Sequence, residues 1–282
     1  MSIVILRIAA LLYAVGAAGY VVYFARPRHR EAATFGFWVL TAGFALHAAA
    51  IGGGCAEFGG REFFTLRGGI ELLVWLIVGA YLLLHRIYRL PALGAFVTPF
   101  ALVLLVPALF ANKGHPEVAP EMVRSPVLAL HVLSAMLGLA LFGIACGVGL
   151  MYLLQEREVK GKRFGALFSR LPSLDVLDRL GQRLVRLGFV VFTVALVAGS
   201  VIASATWKTP FDPQQVVFIS VWALYGLMVQ LRHSGWHGRR YAVLTLVGFF
   251  IVITSMVSLK VVPGITRHAG NYGAPSRTEV PQ

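Results

Sequence analysis

Runs of about twenty apolar residues, separated by short loops carrying arginine and lysine, recur along this chain. A helix needs about 20 such residues to cross the hydrocarbon of a bilayer. Backbone that crosses lipid must also close its hydrogen bonds within the segment or in a sealed barrel. Eight segments meet or nearly meet the helical requirement: 3–24, 34–52, 67–85, 92–111, 127–154, 187–206, 216–231 and 240–262. The expected fold is an all-α integral membrane protein with eight transmembrane helices. Segment 216–231 is the shortest of them and is polar at both ends. Composition agrees: 58% of residues are hydrophobic and 13% charged, against about 25% charged in a soluble domain.

The formal net charge of +13 suggests a nucleic-acid partner only until the positions are read. Basic residues gather after the first, third, fifth and seventh segments. They include Arg26, Arg28 and Arg30, then Arg86 and Arg89, then Arg157, Lys160, Lys162 and Arg163, then Arg232, Arg239 and Arg240. The positive-inside rule makes these loops cytoplasmic and places both termini outside. Charge therefore sets topology, and no nucleic-acid partner is expected. Segment 3–24 lacks a basic n-region and a small-residue cleavage site, so it reads as a retained helix and not a removed signal.

The expected organisation is one polytopic domain over residues 1–268 and a disordered tail over 269–282, rich in Gly, Pro, Ser and Asn. The longest cytoplasmic connection places Leu171, Leu174, Leu177, Leu180, Leu184 and Leu187 at helical spacing. Asp178, Arg179, Arg183 and Arg186 fall on or near the opposite side. This predicts an amphipathic helix lying in the inner interface and feeding the sixth segment, serving as a packing collar or as a partner-docking surface. Cys55 and Cys146 form no CxxC arrangement. Cys146 reads as a packing residue, and Cys55 is assigned no role.

The chemistry rests on histidines. With this topology His131 and His268 both lie at the outer face, with Trp207, Lys208, Phe211 and Asp212 in the loop between them. Two neutral imidazoles make a six-coordinate, low-spin heme iron, and aromatic side chains suit a porphyrin. Lys208 and Arg267 are placed to meet heme propionates. A plainer reading stands beside this one, since amphipathic rings favour the interface whatever they bind. Zinc fits less well, because two histidines lack further ligands, although His115 and Asp212 share the outer side. His47 falls within the second segment and is either a functional intramembrane group or a neutral, hydrogen-bonded one. Arg67 and Glu71, spaced i,i+4, form a structural or functional intramembrane pair. His29, His85, His233 and His237, at cytoplasmic helix ends, read as solvated edges.

Several pieces, taken in order, resemble a known family. They are Phe44-Ala-Leu-His47, the Ile70-Glu71-Leu-Leu segment, Tyr88-Arg-Leu-Pro-Ala-Leu-Gly-Ala-Phe96 and Leu130-His131. Further along come Leu177-Asp-Arg-Leu180, Gly199 through Trp207, Asp212-Pro213 and Gly235-Trp-His-Gly-Arg-Arg240. Together they are similar to the membrane-integral cytochrome c assembly proteins of the CcsA and HemX type. That resemblance implies a Trp-rich outer segment, ending in Trp-Asp-Pro, that holds heme between two flanking histidines. Here the flanking residues are His131 and His268, Trp207 is one tryptophan of the segment, and Asp212-Pro213 is its end. His47 is similar to the transmembrane histidine of the CcsA type.

The chain also departs from the pattern. Phe211 stands where a tryptophan is expected, and segment 216–231 holds no histidine. These departures point to the HemX-like branch and away from full synthase activity, so no catalytic residue is assigned. The expected function is heme handling in the bacterial cytoplasmic (inner) membrane, in cytochrome c assembly or heme metabolism. Its expected partners are lipid, heme, and a second assembly subunit or a heme-biosynthesis enzyme. The alternative is a membrane scaffold that regulates a tetrapyrrole-synthesis enzyme without obligatory heme binding. A small-solute transporter lined by His47 and Glu71 is a minor alternative, and it would call for repeats that the sequence lacks.

Overall fold

The computed structural model describes residues 2–26, 28–111, 125–162, 165–206 and 213–261. Regular structure among them is entirely helical. The helices are α1 (Ser2–Ala25), α2 (Arg30–Phe58), α3 (Leu66–Tyr88), α4 (Pro91–Phe110), α5 (Pro126–Lys160), α6 (Ala166–Arg170), α7 (Leu174–Thr206), α8 (Pro213–His233) and α9 (Arg239–Val261). A short 3-10 turn, Arg61–Phe64, joins α2 to α3. Helices α1 to α5, α7 and α8 contain stretches long and apolar enough to cross a membrane. The ninth helix has 23 residues and packs against α5 and α8.

Local sequence explains where the helices start and stop. Proline opens α4 and α5, where the first turn has no use for its missing N–H. Thr65 caps α3, its hydroxyl accepting from the Gly68 N–H at 3.0 Å. Gly59 ends α2 in the left-handed conformation, at φ 62°.

Packing follows residue size. Gly16 of α1 and Gly36 of α2 face each other so closely that a Cβ on Gly36 would sit 2.9 Å from the Gly16 carbonyl oxygen. In lipid, where burying apolar surface drives little, such close backbone approach is the main source of helix association. Helix α5 is the hub, packing against α3, α4, α7 and α9. Its middle is buried on every side, from Leu139 through Phe142 to Cys146. Phe142 stacks on Tyr225 of α8, with ring centroids 3.5 Å apart. Outward-facing Leu11, Trp38, Leu83, Phe110 and Phe250 are exposed, a surface that only lipid would cover at low cost.

The amphipathic segment differs from the sequence expectation. It is no separate helix lying flat but the first third of α7, continuous with the span. At 1.5 Å per residue this 33-residue helix is about 50 Å long, well beyond the ~30 Å hydrocarbon thickness. Leu171, just before the helix, and Leu177, Leu180 and Leu184 within it are buried in the bundle. The leucine stripe is thus largely consumed by internal packing, with Leu187 turned outward.

Candidate functional site

Three polar centres lie inside this bundle, two of them made by residues from neighbouring helices and one within a single helix. The first is at His131, one turn or so into α5. Its Nδ1–H donates to the Ala195 carbonyl of α7 at 2.7 Å. A carbonyl can only accept, so this bond places a proton on Nδ1, and in the neutral ring the lone pair is on Nε2. Gly199, one turn beyond Ala195, gives the ring its space: a Cβ there would lie 2.7 Å from His131 Cε1 and 2.8 Å from Nδ1. The imidazole is half-buried. Trp207, Lys208, Phe211, Asp212, Arg267 and His268 lie outside the described residues.

Replacing Gly199 with alanine therefore displaces the ring and breaks its bond to Ala195. If His131 is a metal ligand, affinity should fall by about 10–100-fold, the usual cost of losing a ligand's outer hydrogen bond. Alanine favours helix, so the melting temperature should hold or rise. Spectrophotometric hemin titration and a thermal melt of the same preparation check both halves.

The second centre is His47 on α2. It is fully buried, with Nδ1 3.2 Å from the Tyr13 hydroxyl of α1. Among the described residues, its Nε2 has no hydrogen-bond partner. An orphaned buried polar atom costs about 1–3 kcal/mol, which makes His47 Nε2 a candidate for binding a further group. The third centre is the Arg67–Glu71 pair, Nε to Oε1 at 2.6 Å, with both side chains about 4% exposed or less. Among the described residues Arg67 Nη2 likewise has no partner. Glu62 is buried in the preceding turn, against Gly54 and Gly68. The described contacts put His47 in the α1–α2 seam and His131 in the α5–α7 seam, and do not bring the two together.

Two arrangements escape sequence reasoning. His85 is no solvated edge: its ring stacks on Phe37 at 5.0 Å and its Nδ1 lies 3.3 Å from the Tyr81 hydroxyl. At the opposite end of the bundle from His131, Asp178 of α7 meets the loop between α8 and α9. Its carboxylate accepts from both Nη atoms of Arg232, at 2.9 and 2.5 Å, and from the Gly238 N–H at 3.1 Å. The signal for this latch was present as two separate motifs, Leu177-Asp-Arg-Leu180 and Gly235 to Arg240. Nothing in the sequence paired them. Among the described residues, no three His, Cys, Asp or Glu side chains gather into a metal site.

An all-helical bundle with lipid-ready faces and histidines in its interhelical seams defines a multi-pass membrane protein. Its sequence matches the cytochrome c assembly protein family over residues 63–265, and the chain belongs to that family. It is 28% identical over 207 residues to Protein HemX of Brevibacillus brevis, an alignment covering 73% of this chain and 76% of that one. It is 28% identical over 234 residues to cytochrome c biogenesis protein CcsA of Prochlorococcus marinus subsp. pastoris, with 74% of each chain covered. The CcsA protein of Parasynechococcus marenigrum is 28% identical over 244 residues, covering 77% and 79%. No solved structure gives a significant match. The family match begins after α2, so it includes His131 and Glu71 but not His47.

Proposed function

We propose that this protein handles heme in the bacterial inner membrane, as a component of cytochrome c assembly or of heme metabolism. On this reading α9 is the eighth transmembrane helix, both termini are outside, residues 1–268 form one domain, and 269–282 are a disordered tail. Heme docks at the outer face as cargo, with His131 and His268 as its iron ligands. Trp207 and Phe211 form the aromatic wall, with Asp212 closing the loop. Lys208 and Arg267 meet the propionates. His47, held by Tyr13, offers a further imidazole inside the membrane.

One observation carries the reading: His131 donates Nδ1–H to the Ala195 carbonyl, which makes Nε2 the ligating nitrogen of the neutral ring. Metal-bound histidines almost always have their second nitrogen tied in this way. Heme bound between two imidazoles would be low-spin and six-coordinate. What the chain supplies is orientation, through Ala195 and Gly199, and a seam that limits access of water to the ring. Partners beyond lipid and heme would be a second assembly subunit or a heme-biosynthesis enzyme. The scaffold alternative draws no support from the cytoplasmic leucines, since most of that stripe is buried within the bundle.

The test is the absorption spectrum of the full chain purified in mild detergent. A Soret band with split low-spin peaks on reduction is expected. A preparation that stays colourless after hemin is added overturns the proposal.

A further inference from the structure

Helices α3 and α7 both pack on α5, and they are joined at the arginine-rich end of the bundle. There the Arg183 guanidinium donates an Nη1–H to the Tyr88 hydroxyl at 3.1 Å, across 95 residues of sequence. Tyr88, Arg89 and Arg183 are all exposed. The bond uses one of the five N–H donors of the guanidinium. It takes the Tyr88 oxygen as acceptor, so the phenol still has its own proton to donate.

Arg89 ends α3 in the left-handed conformation, at φ 50° and ψ 48°. Glycine or asparagine usually stands at such a position, because a Cβ there crowds the following carbonyl. A backbone outlier of this kind points to a role for the side chain that it carries. Charge at this end is unevenly paired. Among the described residues Asp178 is held by Arg232, Glu156 by Lys160 and Asp175 by Arg179, and none of these carboxylates pairs with Arg89 or Arg183.

Beyond Arg183, α7 turns an aliphatic stripe outward. Leu187, Val190, Val194 and Val197 follow the arginine at alternating spacings of four and three residues, and all four are exposed. At 1.5 Å per residue, Leu187 to Val197 covers about 15 Å, half of the ~30 Å hydrocarbon thickness. Two unpaired guanidinium groups and a hydroxyl donor thus head an apolar stripe one leaflet deep. That arrangement complements a molecule with an anionic head and long hydrocarbon chains.

We propose that this α3–α7 seam binds an anionic phospholipid. Arg183, Arg89 and the Tyr88 hydroxyl hold its phosphodiester, and an acyl chain lies along Leu187 to Val197. Guanidinium forks fit phosphate oxygens, and such charge-assisted bonds are stronger than neutral ones. The site does not depend on the heme reading.

The experiment titrates phosphatidylglycerol into the full chain, without hemin, in neutral detergent, and counts bound lipid by native mass spectrometry. Wild type should take up one lipid ahead of any others. Phosphatidylcholine should bind about tenfold more weakly or worse, as expected when a bond to a charged group is lost. R183Q and R89G should each weaken phosphatidylglycerol binding by about tenfold. R28Q removes the same charge from the exposed α1–α2 loop and should leave affinity within about twofold. R89G also relieves the left-handed strain, so its thermal melt should hold or rise, which separates a lost lipid contact from a lost fold. Glycerol 3-phosphate, a head without chains, should not displace the lipid. Equal affinity for the two lipids, or equal losses in R28Q and R183Q, overturns the site in favour of diffuse attraction. Unchanged affinity in R89G removes Arg89 from it, and displacement by glycerol 3-phosphate overturns the acyl-chain seat.

Discussion

Replacing His131 with alanine is expected to abolish the low-spin heme spectrum of the purified protein. The loss in hemin affinity should exceed the ~10–100-fold that follows when a ligand merely loses its outer hydrogen bond, since here the ligand itself goes. The fold should tolerate the change. His131 is half-buried, and its ring bonds the Ala195 carbonyl, an acceptor that water can satisfy in an interfacial setting. Exogenous imidazole should refill the space and recover part of the spectrum. The measurement is a hemin titration followed at the Soret band, with a thermal melt on the same sample. An H131A protein with wild-type affinity and an unchanged low-spin spectrum would remove His131 from the site.

The second large effect lies at the buried pair. R67M leaves the Glu71 carboxylate alone at 2% exposure, and E71L leaves the Arg67 guanidinium alone at 4%. Breaking a buried pair by removing one partner costs about 3–5 kcal/mol, whereas replacing both by apolar side chains is often neutral or stabilising by about 1–4 kcal/mol. Each single variant should therefore melt well below wild type, while R67M/E71L should match or exceed it. Melts followed by circular dichroism in detergent close this double-mutant cycle. Single variants as stable as wild type would show that the pair is not an isolated buried ion pair. A stable double variant that no longer takes up hemin would assign the pair a part in function.

Much of this was legible in the chain. The apolar runs required helices because lipid cannot hydrogen-bond open backbone, and helices are what the described residues form. The i,i+4 spacing of Arg67 and Glu71 put them on one face of one helix, and they meet at 2.6 Å. Segment ends were less legible. Helix α2 runs from Arg30 to Phe58, against an expected 34–52, because helix persists through interfacial polar residues that hydropathy discards. The amphipathic helix feeds the sixth segment and packs by its leucines as expected, but it is not a separate piece lying flat, for a related reason. Leucine periodicity reports a buried face but not the direction of the axis, and α7 carries its stripe straight into the membrane span.

The histidines divide along the same line. Sequence placed His131 at the outer end of an apolar run and His237 in a basic loop, but gave both the same chemical identity. Which nitrogen carries the proton depends on a carbonyl 64 residues away for His131 and on a turn closed by Asp178 for His237. His85 looked solvated because its neighbours in sequence are basic, yet its neighbours in space are Phe37 and Tyr81.

The sequence by itself determined that the chain is helical, has the apolar runs of a membrane protein and belongs to the cytochrome c assembly family, because each of these follows from local hydrophobicity, charge and motif. Only the tertiary structure decided which buried groups have partners and which imidazole nitrogens are tied to a carbonyl. Those properties are set by hydrogen bonds and close contacts between helices far apart in the chain, and no local pattern encodes them.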